Sequence, residues 1–223
     1  MLYCAIIGDI IKSRQIKDRQ SVQRRFLAMA AEASSLYAPA IESPFTVTIG
    51  DEFQVLLKSI DSAPQIVEHV VQAMKPVELV FGLGIGTIQT DINPRQAIGM
   101  DGPAFHLARA ALVQAKKKKP KIVYKSDAAA TELVNSLNYF IETCEERRTK
   151  RQQAVVEYLQ QGYTQAAIAA RLGIRQQSVH DIINAAYVGE IRQAKQAILH
   201  YLASISKQDM WLSGYNETGR KTC

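Results

Sequence analysis

The sequence predicts an α+β fold: a mixed strand-and-helix domain over residues 1–126, an all-helical domain over 127–206, and a polar tail over 207–223. Three observations predict it. Short apolar runs alternate with amphipathic helical runs as far as Tyr124. Two strand-like runs flank a Gly-Asp-Glu turn, which is a hairpin signal. Beyond Asp127 the composition shifts to Ala, Gln, Arg and Glu, which are mostly good helix formers.

Each element has its own warrant. "LYCAIIGDII" is an apolar run suited to a buried strand. "KDRQSVQRRFLAMAAEASSLYA" places Val22, Phe26, Met29 and Ala33 on one helical stripe, with Asp18 or Ser21 to cap its start. "SPFTVTI" and "FQVLLKS" are the hairpin strands. "SAPQIVEHVVQAMK" is a second helix with Ser62 as cap and Pro64 in its first turn. "VELVFGLGIGTIQT" is a strand loosened by three alternating glycines. "DGPAFHLARAALVQAKKKK" is a helix ended by Pro120, and "KIVYKS" is a last short strand. Strand, helix, hairpin, helix, strand is the order of a ferredoxin-like or palm core, expected with one helix-covered face.

The bulk numbers bound the function. The chain has 223 residues, 47% of them hydrophobic, and a formal charge of +6, which favours polyanionic partners. Cys4, Cys144 and Cys223 make neither a zinc spacing nor a disulfide framework, which reads as a reducing, cytoplasmic setting. No run reaches the roughly 18 apolar residues of a membrane helix, and no Gly-x-x-x-x-Gly-Lys phosphate loop occurs. The four histidines share no ligand spacing. "DGP" at Asp101–Pro103 reads first as a helix start and second as a site for a catalytic aspartate, and "KKKKPK" reads equally as a solvated helix end or a phosphate patch.

The acids of the first strand and of the hairpin carry the chemistry. In a palm core the first strand lies beside the hairpin, so Asp9 is expected near Asp51 and Glu52. Carboxylates at close quarters repel one another unless a cation lies between them. Hard oxygen donors suit Mg2+ or Mn2+, with substrate phosphates completing the shell. The plainer reading is that these acids bond nearby turn amides.

"GDEF" at residues 50–53 resembles the signature hairpin of the GGDEF diguanylate cyclases and, more distantly, of the class III nucleotidyl cyclases. The resemblance implies Asp9, Asp51 and Glu52 as metal ligands. "ARAALVQAK" is similar to the family's helix before its Gly-Arg-Asn, which gives Lys116 a role at nucleotide phosphates. Class III cyclases carry an Asn and an Arg on the equivalent helix. His106 and Arg109 lie close to those positions, so Arg109 joins Lys116 as a candidate nucleotide contact. Ile49 stands in place of the first glycine, which points to a nucleotide-binding palm more than to cyclase chemistry. "YCAIIGDIIKSR", "TVTIGDEFQVLL", "FGLGIGTIQT" and "IGMDGPAFHLARAAL" together resemble the SatD family, a bacterial family associated with acid tolerance.

"YTQAAIAARLGIRQQSVHDIINAA", within 163–187, has the spacing of a helix-turn-helix. Thr164 caps a first helix, Gly173 makes the turn, Ile174 plugs the core, and Val179, Ile182 and Ile183 line a second helix. The segment resembles that of many bacterial regulators and sigma factors. It implies DNA contacts from Arg175, Gln176, Gln177, Ser178 and His180, with Asp181 also on the exposed face. Arg171, Lys150 and Arg151 would lie at phosphates. The expectation is a DNA-binding regulator whose palm binds a nucleotide with Mg2+ or Mn2+, acting as a homodimer. The alternative is an active metal-dependent nucleotidyl cyclase or transferase making a second messenger.

Overall fold

The apolar run that opens the chain becomes the central strand of a five-stranded sheet. The computed structural model describes residues 1–48, 51–128 and 130–218, the side chains of Arg14 and of residues 207–218 excepted. Ile49 and Gly50, two residues of the expected hairpin signature, lie outside the described residues. Strands β1 (Tyr3–Ile10), β2 (Ile41–Val47), β3 (Glu52–Leu57), β4 (Leu79–Gly86) and β5 (Ile122–Lys125) are ordered β2–β3–β1–β4–β5. β1 is antiparallel to both β3 and β4, and β5 adds in parallel to β4. The first four strands have the ferredoxin-like order. Glu52 belongs to β3 rather than to the turn before it.

Helices cover both faces of this sheet, not one as the sequence suggests. Gly8 pairs with Phe53 on one face, and Phe26 of α1 (Arg19–Leu36) packs edge-on against that ring at 5.0 Å. Asp18 caps α1 by accepting from the Ser21 amide at 3.0 Å. Beside α1 lies α2 (Ala63–Met74), and Arg25 bonds the Ala73 carbonyl at its end. Ser62 does not cap α2; its hydroxyl pairs with Ser59, which also donates to Asp61.

The opposite face carries α3 (Pro103–Lys117). Ala5 and Ile7 of β1, Leu56 of β3 and Val80 of β4 point to it and pack with Ala104, Ala108, Ala111, Leu112 and Ala115. With both faces buried, β4 is buried along its whole length and β1 is nearly so. That explains why these strands read as continuous apolar runs rather than as alternating ones.

The glycines of β4 do more than loosen a strand. Gly82 and Gly84 pair with Ile7 and Ala5, so they face α3. A Cβ on Gly82 would overlap the Ala108 carbonyl oxygen and the Leu112 amide, and one on Gly84 would overlap Ala104 and Ala108 backbone. Helix backbone rests directly on strand backbone there.

The rest of the chain is helical: α4 (Thr131–Glu146), α5 (Lys150–Gln160), α6 (Gln165–Leu172), α7 (Gln176–Ala185) and α8 (Val188–Thr218). Residues 207–218, expected as a tail, continue α8. The chain divides into an α/β unit, residues 1–135 with 199–223, and a helical unit, residues 136–198. Among the described residues no helix is long and apolar enough to cross a membrane.

Gly82→Ala and Gly84→Ala should each lower stability by at least the ~1–3 kcal/mol of an overpacked core, read as a reduced urea midpoint. Gly189→Ala is the control, because nothing lies near a Cβ there; it should be neutral or stabilise by about 0.4–1 kcal/mol. Equal effects at the three positions would contradict the close approach of α3 to β4.

Candidate functional site

Strand pairing sets two carboxylates side by side. Asp9 of β1 is the direct partner of Glu52 on β3, so both side chains leave the same face of the sheet, the one under α3. Two anions so close need counter-charge, and α3 supplies it. Lys116 forms an ion pair with Asp9 Oδ2. Arg109 donates to both oxygens of Glu52, Nη2 to Oε1 at 2.7 Å and Nη1 to Oε2 at 2.5 Å. This two-pronged bond pushes the Arg109 pKa further above its ordinary value, against a smaller effect of burial. Arg109 and Lys116 are seven residues apart, about two helical turns, so one flank of α3 carries both cations.

Of the five residues expected here as metal and phosphate contacts, the fold brings Asp9, Glu52, Arg109 and Lys116 together, as two ion pairs within the chain. Glu52 is engaged by Arg109 rather than open to a metal, and its Oε1 also lies 3.4 Å from the Thr48 hydroxyl. Lys116 and Arg109 sit on carboxylates of the chain itself. Asp9 keeps Oδ1 on the Ile10 amide at 3.0 Å. Asp51 is half-buried and directly precedes Glu52 in the chain. Among the described residues no three His, Cys, Asp or Glu side chains form a group able to hold a metal ion. Carboxylate oxygens on neighbouring strands have the right chemistry for a hard cation. Of these acids, Asp9 and Glu52 face each other across the two strands, and Arg109 and Lys116 hold them.

The segment between β4 and α3 is tied across β2 and β3 beside these groups. The Ala97 amide donates to Thr46 Oγ1 at 2.8 Å, and Gln54, two residues from Glu52, donates to the Ala97 carbonyl. Asp101, at the head of α3, bonds the Gly102 amide at 2.9 Å and the His106 Nε2 at 2.5 Å. Gly102 is the residue that caps the helix, and Pro103 opens its first turn. Asp101 thus organises a helix start, in line with its first reading. Cys4 is fully buried, and burial pushes its thiol pKa up to about 12, so it is not a reactive thiol.

The helical unit holds the other set. Thr149 closes a capping box with Gln152 at the start of α5, and Thr164 caps α6 by accepting from the Ala167 amide at 3.3 Å. Gly173 ends α6 in the left-handed conformation at φ 63°, and α7 follows after Ile174 and Arg175. Val155, Ile168, Ala169 and Val179 form the buried centre, with Ile174, Ile182 and Ile183 packed on it. Arg175, Gln176, Gln177, His180 and Asp181 are exposed, and Ser178 is half-buried rather than exposed. Arg171 is exposed and braced by an aromatic ring. Its guanidinium lies 4.4 Å from the centre of the Tyr163 ring and donates to the Tyr163 hydroxyl at 2.9 Å.

Sequence reasoning passed over Gln165. It lines an open polar cleft of about 460 Å³ with Gln176, Gln177 and His180. It is the first residue of α6, directly after the Thr164 cap, and that was the available signal.

The His106 bond, then the Gly102 amide, hold the Asp101 carboxyl below its ordinary pKa. A group lowered on folding stabilises above its unfolded pKa, and that stability is lost as pH falls through the folded one. Asp101→Asn should therefore cost stability at pH 7. The deficit against wild type should shrink as pH drops below the ordinary aspartate value of ~3.9, as thermal melts across pH would show. A pH-independent deficit would remove the ionic role of Asp101.

Several solved structures are similar to the chain at low identity. A bacterial light-regulated adenylyl cyclase is 15% identical, with 60% of this chain and 79% of that chain covered and a TM-score of 0.45. The guanylate cyclase domain of RhGC from Catenaria anguillulae, in complex with GTP, is 14% identical over 59% of this chain and 81% of that chain, with a TM-score of 0.42. A regulator of polyketide synthase expression from Bifidobacterium adolescentis is 16% identical over 93% of this chain and 86% of that chain, with a TM-score of 0.27. No curated protein matches the sequence. The SatD family matches residues 3–201, almost the whole described chain, and the protein belongs to the SatD family.

Proposed function

We propose that this SatD-family protein is a DNA-binding regulator whose α/β unit binds a nucleotide together with a divalent cation, and that it works as a homodimer. The observation that carries this reading is the distribution of polar chemistry. One set of paired acids and cations lies at the Asp9 end of the sheet, and one exposed amide-rich set lies on α6 and α7.

At the sheet end the internal ion pairs define what can bind. A divalent cation competes with Lys116 for Asp9, and a phosphate competes with Asp9 for Lys116. Either ligand alone leaves one group without its partner. Metal and phosphate together satisfy both, so they should bind cooperatively. Asp9 and Asp51 would hold Mg2+ or Mn2+, which supplies charge neutralisation for phosphate oxygens. Lys116, and Arg109 where Glu52 releases it, would meet the phosphates.

In the helical unit, α7 follows a short capped helix and a left-handed glycine, the arrangement that sends a second helix into the major groove. Arg175, Gln176, Gln177 and His180 would face bases, with Lys150 and Arg151 available to phosphates. A second reading, an active nucleotidyl cyclase or transferase, draws on the acids of β1 and β3 lying directly opposite each other. Metal-dependent product formation would favour it.

Thermal melts with ATP, GTP and cyclic nucleotides, with and without Mg2+ or Mn2+, test the first half. At ~100 times its dissociation constant a bound ligand adds about 2.7 kcal/mol. The shift should need metal and nucleotide together and vanish in Asp9→Asn or Asp51→Asn. No shift with any combination would leave these acids as structural residues.

Duplex binding by fluorescence anisotropy tests the second half. Affinity should fall steeply with salt, and Arg175→Ala should cost about 1–3 kcal/mol if that residue reads a base. A protein that binds no duplex at low salt would not be a DNA-binding regulator.

A further inference from the structure

The cleft at the starts of α6 and α7 is lined by three carboxamides and one imidazole. Neither a carboxylate nor a guanidinium is among those four side chains. We infer that this cleft reads adenine in the major groove, and that Gln165, from the helix preceding the recognition helix, is one of its contact residues. The inference rests on the reading of the helical unit as a DNA-binding element and names the base that element selects.

The chemistry of the base edges makes the choice. Adenine presents an acceptor, N7, beside a donor, the N6 amino group, whereas guanine presents two acceptors. A carboxamide carries one acceptor oxygen and two N–H donors on one plane, so it matches adenine bidentately. Guanine calls for two donors side by side, which is what a guanidinium offers. Neither nearby guanidinium lines the cleft: that of Arg171 lies over the Tyr163 ring and gives one N–H to its hydroxyl, and that of Arg175, exposed directly before α7, lies outside the lining and would read a neighbouring position.

The amides are also held. Gln177 donates one N–H to Asp181 Oδ1 at 3.1 Å, which restrains its plane and leaves its oxygen and second N–H for a base. His180 Nε2 lies 3.1 Å from the Asn184 side-chain nitrogen. This contact holds the ring beside Asn184 at the cleft, where an imidazole can meet a phosphate oxygen or a base edge.

The test is a selection from a random duplex pool with the full chain. The enriched duplex is then titrated with single adenines replaced by 7-deazaadenine, which keeps base pairing and removes N7. The enriched sequence should contain fixed adenines, and replacing one that is contacted should weaken binding roughly 5- to 150-fold. Gln177→Glu, close in size, and Gln165→Ala should each erase the preference at one adenine. The far-UV circular dichroism and thermal melts of both variants should match those of the unaltered chain, which shows that they are folded. A fixed motif without adenine, or variants whose preference is unchanged, would overturn the inference while DNA binding stands. A chain that binds no duplex would overturn the DNA-binding reading, and the inference with it.

Discussion

The direct seat of α3 on the backbone of β4 governs the α/β unit. Glycine at 82 and 84 and alanine at 104 and 108 let a helix approach a strand with almost no side chain between them. A helix held off by ordinary side chains would carry Arg109 and Lys116 farther from the sheet. At this close approach they reach Asp9 on β1, the strand next to β4, and Glu52 on β3, the strand beyond it. The packing constraint and the electrostatics of the site are thus one feature seen twice.

Those electrostatics set the resting state of the sheet end. Two neighbouring carboxylates are tolerated because each has a cation within the chain, and each pair is partly open to water, where an ion pair contributes little net stability. Weak pairs that nevertheless cancel charge are well suited to exchange. Little is lost when Lys116 leaves Asp9, provided that Asp9 gains another cation and Lys116 another anion in the same event. A deeply buried pair would be costly to separate, because a lone buried charge has no water to turn to.

Much of this was legible in the sequence. The alternation of apolar runs with helical stripes gave the element order, and that order placed Asp9 beside the hairpin. The glycines of "FGLGIG" were visible, but a glycine in a strand reads locally as weakness. Only the helix packed on it reveals that the missing side chain is required. For the same reason the coverage of both faces was missed: the apolar runs of β1 and β4 signalled burial without saying what buries them. The Arg109–Glu52 and Lys116–Asp9 pairs join residues far apart in sequence through long flexible side chains, and no periodicity encodes that. Ser62 looked like a cap because capping residues are recognised by type, whereas here the hydroxyl is spent on Ser59.

In the helical unit the same division between pattern and partner decides what is free to act. Its buried centre is small, four side chains with a ring of half-buried ones, so the caps at Thr149 and Thr164 and the left-handed Gly173 fix the helix ends that the core alone would hold weakly. Arg171 adds to this by bridging α6 to Tyr163 and, at 5.8 Å, to the Tyr158 ring of α5. A guanidinium used this way braces the unit while staying at its surface. The cleft at the starts of α6 and α7 is lined mostly by amides, on a frame in which the start of α6 is capped by Thr164 and its end by Gly173. Side chains on a rigid frame lose less freedom on binding than side chains on a mobile loop, so more of each hydrogen bond is kept as selectivity. If the unit binds DNA as proposed, the cleft at the starts of α6 and α7 therefore offers a base mainly carboxamides, while Arg171 also serves the fold.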